Sequence, residues 1–271
     1  MAVMTTHGAL LPGGPGPGQD RWAATPNGLI VMDGATAVTP SVPSAERYVD
    51  ALLDDLRRRL DTTTDLRTIL GHAIAAVSAD LDLVPGEGPS STVALLRWAE
   101  DVVDAAVLGD STIVLGTRDG TTERLTDDRL ASIAPEQRRA YLSRLAAGAG
   151  YDDEHRRLLV GLQNHERDAR NTPGGYWIAE ADSNAADHAE VRRYRADDVR
   201  WAVLATDGAQ RGIDHLDRRW ADVAAMGDTE LTALLDELHR WEAETDPEGK
   251  QLPRAKRHDD KTLVTWPPNQ L

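Results

Sequence analysis

The sequence predicts an α+β protein built in layers, and three observations carry that reading. Runs of strands and pairs of helices are segregated along the chain rather than strictly alternating, which argues against a doubly wound parallel sheet. The central strands follow one another through tight turns, as in an antiparallel meander. The chain has 271 residues, 41% of them hydrophobic and 28% charged, enough to bury a sizeable core.

Residues 12–18 read Pro-Gly-Gly-Pro-Gly-Pro-Gly, a tract that suits neither helix nor strand interior. Residues 1–18 therefore read as a flexible lead-in, and residues 19–271 as a single domain. Apolar runs at 20–25 and 29–32 flank Pro26-Asn27-Gly28, a hairpin signature. Val49, Leu52, Leu53, Leu56 and Leu60 recur at helical spacing within 43–60, and Ser44 suits the N-cap. A second helix is expected over 65–81, burying Leu66, Ile69, Leu70, Ile74 and Val77, with a turn at 85–89. Strands follow at 92–98, 102–108 and 112–116, and Asp119-Gly120 turns the chain into 121–125. Residues 135–170 are charged and helical, broken in two at 148–151, and read as an insertion carried by the domain. Strands are expected at 176–179, 191–194, 201–206 and 262–266, helices at 218–226 and 229–244, and a loop at 246–256. Leu231, Leu234, Leu235 and Leu238 form a core-facing stripe on the last helix.

Composition narrows the chemistry. There is no cysteine, so a disulfide, a thiolate metal site and a cysteine nucleophile are all excluded. Any metal must be held by oxygen or imidazole. A net charge of −15 disfavours nucleic-acid binding, which needs clustered Lys and Arg. No apolar run approaches the length of a membrane span. Residues 1–11 lack the basic start and apolar stretch of a signal peptide. A cytoplasmic protein is the resulting expectation.

Three apolar strands end alike: residues 29–32 run into Asp33-Gly34, 105–108 into Gly109-Asp110-Ser111, and 203–206 into Asp207-Gly208. A fourth acidic pair, Asp259-Asp260, precedes the last strand. Hard cations such as Mg²⁺ and Mn²⁺ want several oxygen ligands. Carboxylates gathered at one sheet edge would repel each other unless a cation offset them. Taken singly, an Asp-Gly after a strand is an ordinary turn, and spacing alone does not bring positions 33, 110, 207 and 259 together.

Their order and context say more. Gln19-Asp20, then GLIVMDG, AAVLGDS, AVLATDG and DDKTLV, span residues 19–266. This series resembles that of the protein phosphatase 2C family, metal-dependent serine/threonine phosphatases. The resemblance implies a four-layer α-β-β-α sandwich of two antiparallel sheets flanked by helices, with a variable flap over the helical insertion and the following PGGYW segment. It implies that Asp33 bridges two Mn²⁺ or Mg²⁺ ions, that the Gly34 carbonyl binds one of them, and that Asp207 and Asp259 complete the site. Asp259 matches better than Asp260 because it lies three residues before Thr262. Asp110 corresponds to an aspartate associated with a third metal, and Asp20 to one that holds metal-bound water. The implied reaction is hydrolysis of phosphoserine or phosphothreonine in proteins by a metal-activated water, without a covalent intermediate. The implied partner is a phosphoprotein made by a serine/threonine kinase, acted on by a monomer.

Several positions depart from the pattern. The family's phosphate-gripping Arg would fall at Pro15, and Arg21 or Arg170 are the substitutes considered. The loop after Asp33 continues Gly34-Ala35-Thr36-Ala37, and Thr112 follows Asp110-Ser111 where the family has Arg. A phosphatase-like regulatory or binding module with little turnover is therefore the alternative reading, and a phosphatase for a small metabolite is another. His72 reads as a packed or surface residue and His258 as a loop residue. Ser90, Ser91 and Ser111 lack a His/Asp arrangement. Trp177 and Trp201 read as core, although Tyr176-Trp177 could wall a substrate site.

Overall fold

The computed structural model describes residues 6–35 and 43–266. Its strands, in chain order, are β1 (His7–Leu11), β2 (Arg21–Thr25), β3 (Gly28–Met32), β4 (Gly34–Ala35), β5 (Ser90–Ser91), β6 (Val93–Trp98), β7 (Val102–Leu108), β8 (Thr112–Thr117), β9 (Thr122–Leu125), β10 (Glu190–Arg195), β11 (Val199–Ala205) and β12 (Lys261–Trp266). The α-helices are α1 (Ala45–Arg59), α2 (Leu66–Asp80), α3 (Pro135–Ala146), α4 (Asp153–Ala169), α5 (Asp207–His215), α6 (Trp220–Ala224) and α7 (Asp228–Glu244). One antiparallel sheet has the order β1-β12-β11-β8-β9 and the other β10-β7-β6-β3-β2, while β4 and β5 form a short separate ladder.

Strand alternation builds the layers. Leu29, Val31, Ala94 and Leu96 face Ile113, Leu115, Leu204 and Val264 of the other sheet, giving a dry core between them. The alternate residues of β3 and β6, including Ile30, Met32 and Leu95, pack on α1 and α2. On the far side, Val114, Val203, Ala205 and Leu263 pack on α5, α6 and α7, where the Leu231, Leu234, Leu235 and Leu238 stripe is buried. Both faces of each central strand are thus covered, which is why these strands read as continuous apolar runs. The result is the expected α-β-β-α sandwich. Among the described residues, no helix is long and apolar enough to cross a membrane.

Local signals hold where short-range physics decides. Ser44 Oγ accepts the Arg47 amide and caps α1, and Asp65 caps α2 through the amides of Arg67 and Thr68. Pro26 and Asn27 turn β2 into β3.

Three expectations are corrected. His7–Leu11, assigned to a flexible lead-in, forms an edge strand paired with β12 from His7↔Thr265 to Leu11↔Lys261. Its partner is at least 250 residues away in sequence, so no local pattern signals it. Residues 176–179 do not form a strand. They make isolated bridges, Arg170↔Tyr176 and Ser91↔Ala179, and the Ile178 amide is held by Asn171 Oδ1 at 2.9 Å. The third is the single antiparallel meander over 92–125: β7 and β8 lie in different sheets, because Gly109 at φ +83° carries the chain from one to the other. Helix α5 forms although Gly208 and Gly212 lower its propensity. Packing overrides that cost: a Cβ on Gly212 would lie 3.2 Å from Leu238, so glycine lets α5 settle close on α7. The residues Thr36 and Ala37 of the altered loop lie outside the described residues.

One polar ladder crosses the sheet on its helical face. Asp104 on β7 pairs across to Arg97 on β6 at 2.5 Å and to Arg193 on β10 at 2.6 Å. Arg97 is 2% exposed and also donates to the carbonyls of Asp61 and Thr64, tying the sheet to the α1–α2 connection. Removing the carboxylate strands a buried guanidinium. Asp104→Ala is expected to lower unfolding free energy by about 3–5 kcal/mol, read as a fall in the urea midpoint, whereas exposed Arg200→Ala leaves it unmoved.

Candidate metal centre

The antiparallel order brings strand ends from both sheets to one end of the sandwich. In β2 and β3 the last pair is Arg21↔Met32, so Asp20 and Asp33 emerge side by side. The Thr92 amide, just before β6, donates to the Asp33 carbonyl at 2.9 Å. Gly109, at φ +83°, turns the chain between β7 and β8 and leaves Asp110 at the same edge. Ala205 pairs with both Thr112 and Leu263, which places Asp207 beside the start of β12, where Asp259 lies.

These residues line one cleft of about 340 Å³: Asp33, Gly34, Asp110, Asp207 and Asp259 all contribute. Gln163, Glu166 and Arg167 of the flap helix α4 line the same cleft, and so does Tyr176. Trp177 instead stacks on His188 in the core at 3.5 Å between ring centres. A second cleft of about 310 Å³ shares Asp110 and Asp207 and continues between α3 and α5, so the carboxylates sit in an extended groove.

Asp20 lies beneath this cleft and is fully buried. Its Oδ2 accepts the hydroxyls of Thr206 and Thr262, each at 2.8 Å, and the Thr262 amide donates to Thr206 Oγ1 at 3.0 Å. Its Oδ1 is buried without a protein partner. A buried oxygen of this kind calls for a donor or a cation from outside the chain. Sequence reasoning missed Thr206. Thr262 entered it only through its spacing from Asp259. Thr92 was missed too: its Oγ1 accepts the Asp33 amide at 3.1 Å and meets Ser111 Oγ at 2.6 Å.

Glycines here serve close approach. A Cβ on Gly34 would lie 2.7 Å from Val49 Cγ2 and 2.8 Å from the Gln19 carbonyl. One on Gly208 would lie 2.1 Å from the Asp260 carbonyl, so only glycine lets the Asp207 turn pack on the Asp259 segment.

The two acids before β12 part ways. Asp259 faces the cleft, with Lys256 Nζ at 2.9 Å from its Oδ1. The Asp260 carboxylate accepts the amides of Gly13 at 2.7 Å and Gln19 at 2.5 Å, pinning the Pro/Gly tract. Of the two arginines considered for phosphate, Arg21 pairs with Asp50 at 2.6 Å and does not line the cleft. Arg170 does line it, held against Glu180 at 3.5 Å.

Electrostatics confirm a crowded anionic site. Desolvation pushes the Asp33 carboxyl well above its ordinary range, and Asp20, Asp207, Asp259 and Asp110 push it further. Burial is also the main cause for Asp20 and Asp110, both raised to about 7, with Asp207 the leading neighbour of Asp110. Asp207 is raised by burial and by Asp259, against the opposing charge of Arg211. Four carboxylates around one cleft, with Gly34 beside them, are the oxygen donors a hard divalent cation takes, and a cation would offset the mutual repulsion. The donor set and the orphaned Asp20 Oδ1 fit such an ion.

A neighbouring trio, His239, Glu242 and His258, has ligand-type atoms within 4.8 Å of one another. The two rings stack at 3.9 Å with planes 17° apart, so their lone pairs lie in separate, near-parallel planes and do not both aim at one ion. Glu242 Oε2 already accepts Lys261 Nζ at 2.8 Å and His258 Nδ1 at 2.9 Å. Lys261 also donates to the Asp259 carbonyl at 3.0 Å. The trio therefore braces the segment that carries Asp259.

Comparison with known proteins agrees with this fold. The model of the family described as protein phosphatase 2C matches residues 16–253. No curated protein matches the sequence. Among solved structures, a bacterial serine phosphatase is similar at a TM-score of 0.57 and 13% identity, over 99% of this chain and 100% of its own. The Mycobacterium tuberculosis serine/threonine phosphatase PstP/Ppp is similar at 0.56 and 16%, over 98% and 99%. The catalytic domain of the serine threonine protein phosphatase PstP, solved with two manganese ions, is similar at 0.51 and 16%, over 96% of each chain.

A carboxyl raised in the folded chain binds its proton more tightly folded than unfolded. Its contribution to stability is present while it is protonated and is lost as pH rises from the ordinary carboxylate range toward about 7 for Asp20 and Asp110. A divalent cation held by these carboxylates would take the protons' place. The rise in Tm on adding Mn²⁺ over EDTA is therefore expected to grow between ~pH 5 and ~pH 7.5 and to collapse in Asp33→Asn. Scanning calorimetry at both pH values checks this, and a pH-independent shift would contradict it.

Proposed function

The chain belongs to the protein phosphatase 2C family, and from that premise we propose that it hydrolyses phosphoserine and phosphothreonine in proteins. The single observation that carries this reading is the convergence of Asp33, Asp110, Asp207 and Asp259 on one cleft. In it, Asp33, the Gly34 carbonyl, Asp207 and Asp259 would hold two Mn²⁺ or Mg²⁺ ions, and Asp110 a third. When bound, the ions supply the positive charge that offsets the phosphoryl oxygens and acidifies the attacking water.

The chain's own groups do the rest. Asp20 Oδ1, buried and without a protein partner, would accept a proton from a water held there. The two threonine hydroxyls on Oδ2 fix its direction. The Asp259 backbone is braced by Lys261. Rigid strand ends supply these groups, so little reorganisation is needed as charge develops. The groove that continues past Asp110 and Asp207 favours a polypeptide over a small metabolite. Its partners in this reading are phosphoproteins made by a serine/threonine kinase and met in the cytoplasm. The Pro/Gly tract, with Pro15 where the family has Arg, is the observation behind a second reading, a metal-dependent binding module with little turnover.

Hydrolysis of para-nitrophenyl phosphate and a phosphothreonine peptide separates the two. Turnover is expected with Mn²⁺ or Mg²⁺ and not with EDTA. Asp33→Asn and Asp207→Asn are each expected to lower it by about a hundredfold or more while circular dichroism is preserved. Unchanged turnover in both variants would sink the mechanism, and no turnover from folded wild type would favour the binding module.

A further inference from the structure

We propose that Lys256 is the phosphoryl-binding cation of this centre, a role that rests on the phosphatase reading above. A phosphomonoester dianion entering this cleft meets four aspartates on a chain of net charge −15. A fixed cation beside the reacting group lowers that barrier. Pro15 offers none. Lys256, however, borders the pocket formed by the Pro/Gly tract and also lines the carboxylate cleft. It stands between the tract and the aspartates, where such a cation is wanted.

The other cations of the cleft are occupied. Arg170 is held by the buried Glu180, by the Gly88 carbonyl at 3.3 Å and by Tyr176 Oη at 3.4 Å. Arg167 donates to Asn164 Oδ1 on its own helix. Lys256 pairs with Asp259, and its side chain is 64% exposed. That partner is one of the acids that would hold a divalent cation in the loaded protein. Were Asp259 to hold a cation, its charge would be shared between the ion and the ammonium, and a phosphoryl oxygen over the cleft would be a further acceptor for Lys256. An ammonium binds phosphate as a mobile point charge with three donors.

The backbone beneath it is fixed on both sides. Buried Arg254 bonds Asp246 Oδ2 at 2.7 Å and the carbonyls of Leu252 and Arg257 at 2.9 Å. Lys261 holds the Asp259 carbonyl. A rigid base and a long, exposed side chain let the ammonium follow the phosphoryl group.

The test uses the full chain loaded with Mn²⁺ and two substitutions, Lys256→Met and Lys256→Arg. In Lys256→Met, KM for a phosphothreonine peptide and the inhibition constant of inorganic phosphate are both expected to rise roughly tenfold or more, the size of one charge-assisted contact. Mn²⁺ affinity by titration calorimetry is expected to hold or tighten, because a competitor for Asp259 is gone. Lys256→Arg is expected to restore phosphate binding. Unchanged KM and phosphate inhibition in Lys256→Met would overturn the assignment. So would weakened Mn²⁺ binding with unaltered phosphate binding, which would make Lys256 a structural partner of Asp259. Calorimetry with inorganic phosphate needs no turnover. If wild type proves inactive, weaker phosphate binding in Lys256→Met still supports Lys256 while the phosphatase reading fails, and equal or absent phosphate binding in both proteins overturns it.

Discussion

Asp20 is the bond between the two halves of this molecule. It emerges from one sheet, beside the first strand of the hairpin, and its Oδ2 takes the hydroxyls of Thr206 and Thr262 from the other. Over most of their facing area the sheets meet through apolar side chains, which attract without direction, and a Tyr194–Glu123 hydrogen bond at 3.1 Å closes the other side. At this end a fully buried carboxylate fixes their separation and register through two directed hydrogen bonds. The positions of Asp33, Asp207 and Asp259 relative to one another follow from that clamp.

The clamp works against a large repulsion. Four more carboxylates converge above it, and burial together with mutual charge holds Asp33, Asp110 and Asp207 above their ordinary range. A fold selected for stability alone would not gather them. The supporting architecture is correspondingly rigid. Thr92 and Ser111 secure the ends of strands around Asp33 and Asp110, and Gly208 admits direct backbone packing on the Asp260 carbonyl. Glu242 braces the last segment through Lys261 and His258.

The flap and the Pro/Gly tract are the less regular walls of the site, and each is held by its own polar contacts. Helices α3 and α4 share a small core of Tyr141, Leu145 and Leu162, separate from the sandwich cores. The tract is fastened by Asp260 through the amides of Gly13 and Gln19. An acidic pair read as one feature in sequence is therefore two: Asp259 serves the cleft and Asp260 serves the loop beside it.

The sequence by itself determined the elements whose causes are local. The Pro26-Asn27 turn, the caps at Ser44 and Asp65, the break between the flap helices and the aspartates at strand ends are all set by neighbours within a few residues. The ordered series from Asp20 to Asp259 also carried the family resemblance, and with it the sandwich. Tertiary structure decided the rest, because the partners lie far apart in the chain. Asp20 meets Thr262 across 242 positions, and His7–Leu11 becomes a strand only because β12 offers an open edge. Residues 176–179 have the composition of a strand but find only isolated bridges. Helix α5 forms against its glycines because α7 receives it. Which of Arg21, Arg170 and Lys256 reaches the cleft is likewise a matter of long-range packing, since a charged residue looks the same in sequence whether it faces an aspartate cluster or open water.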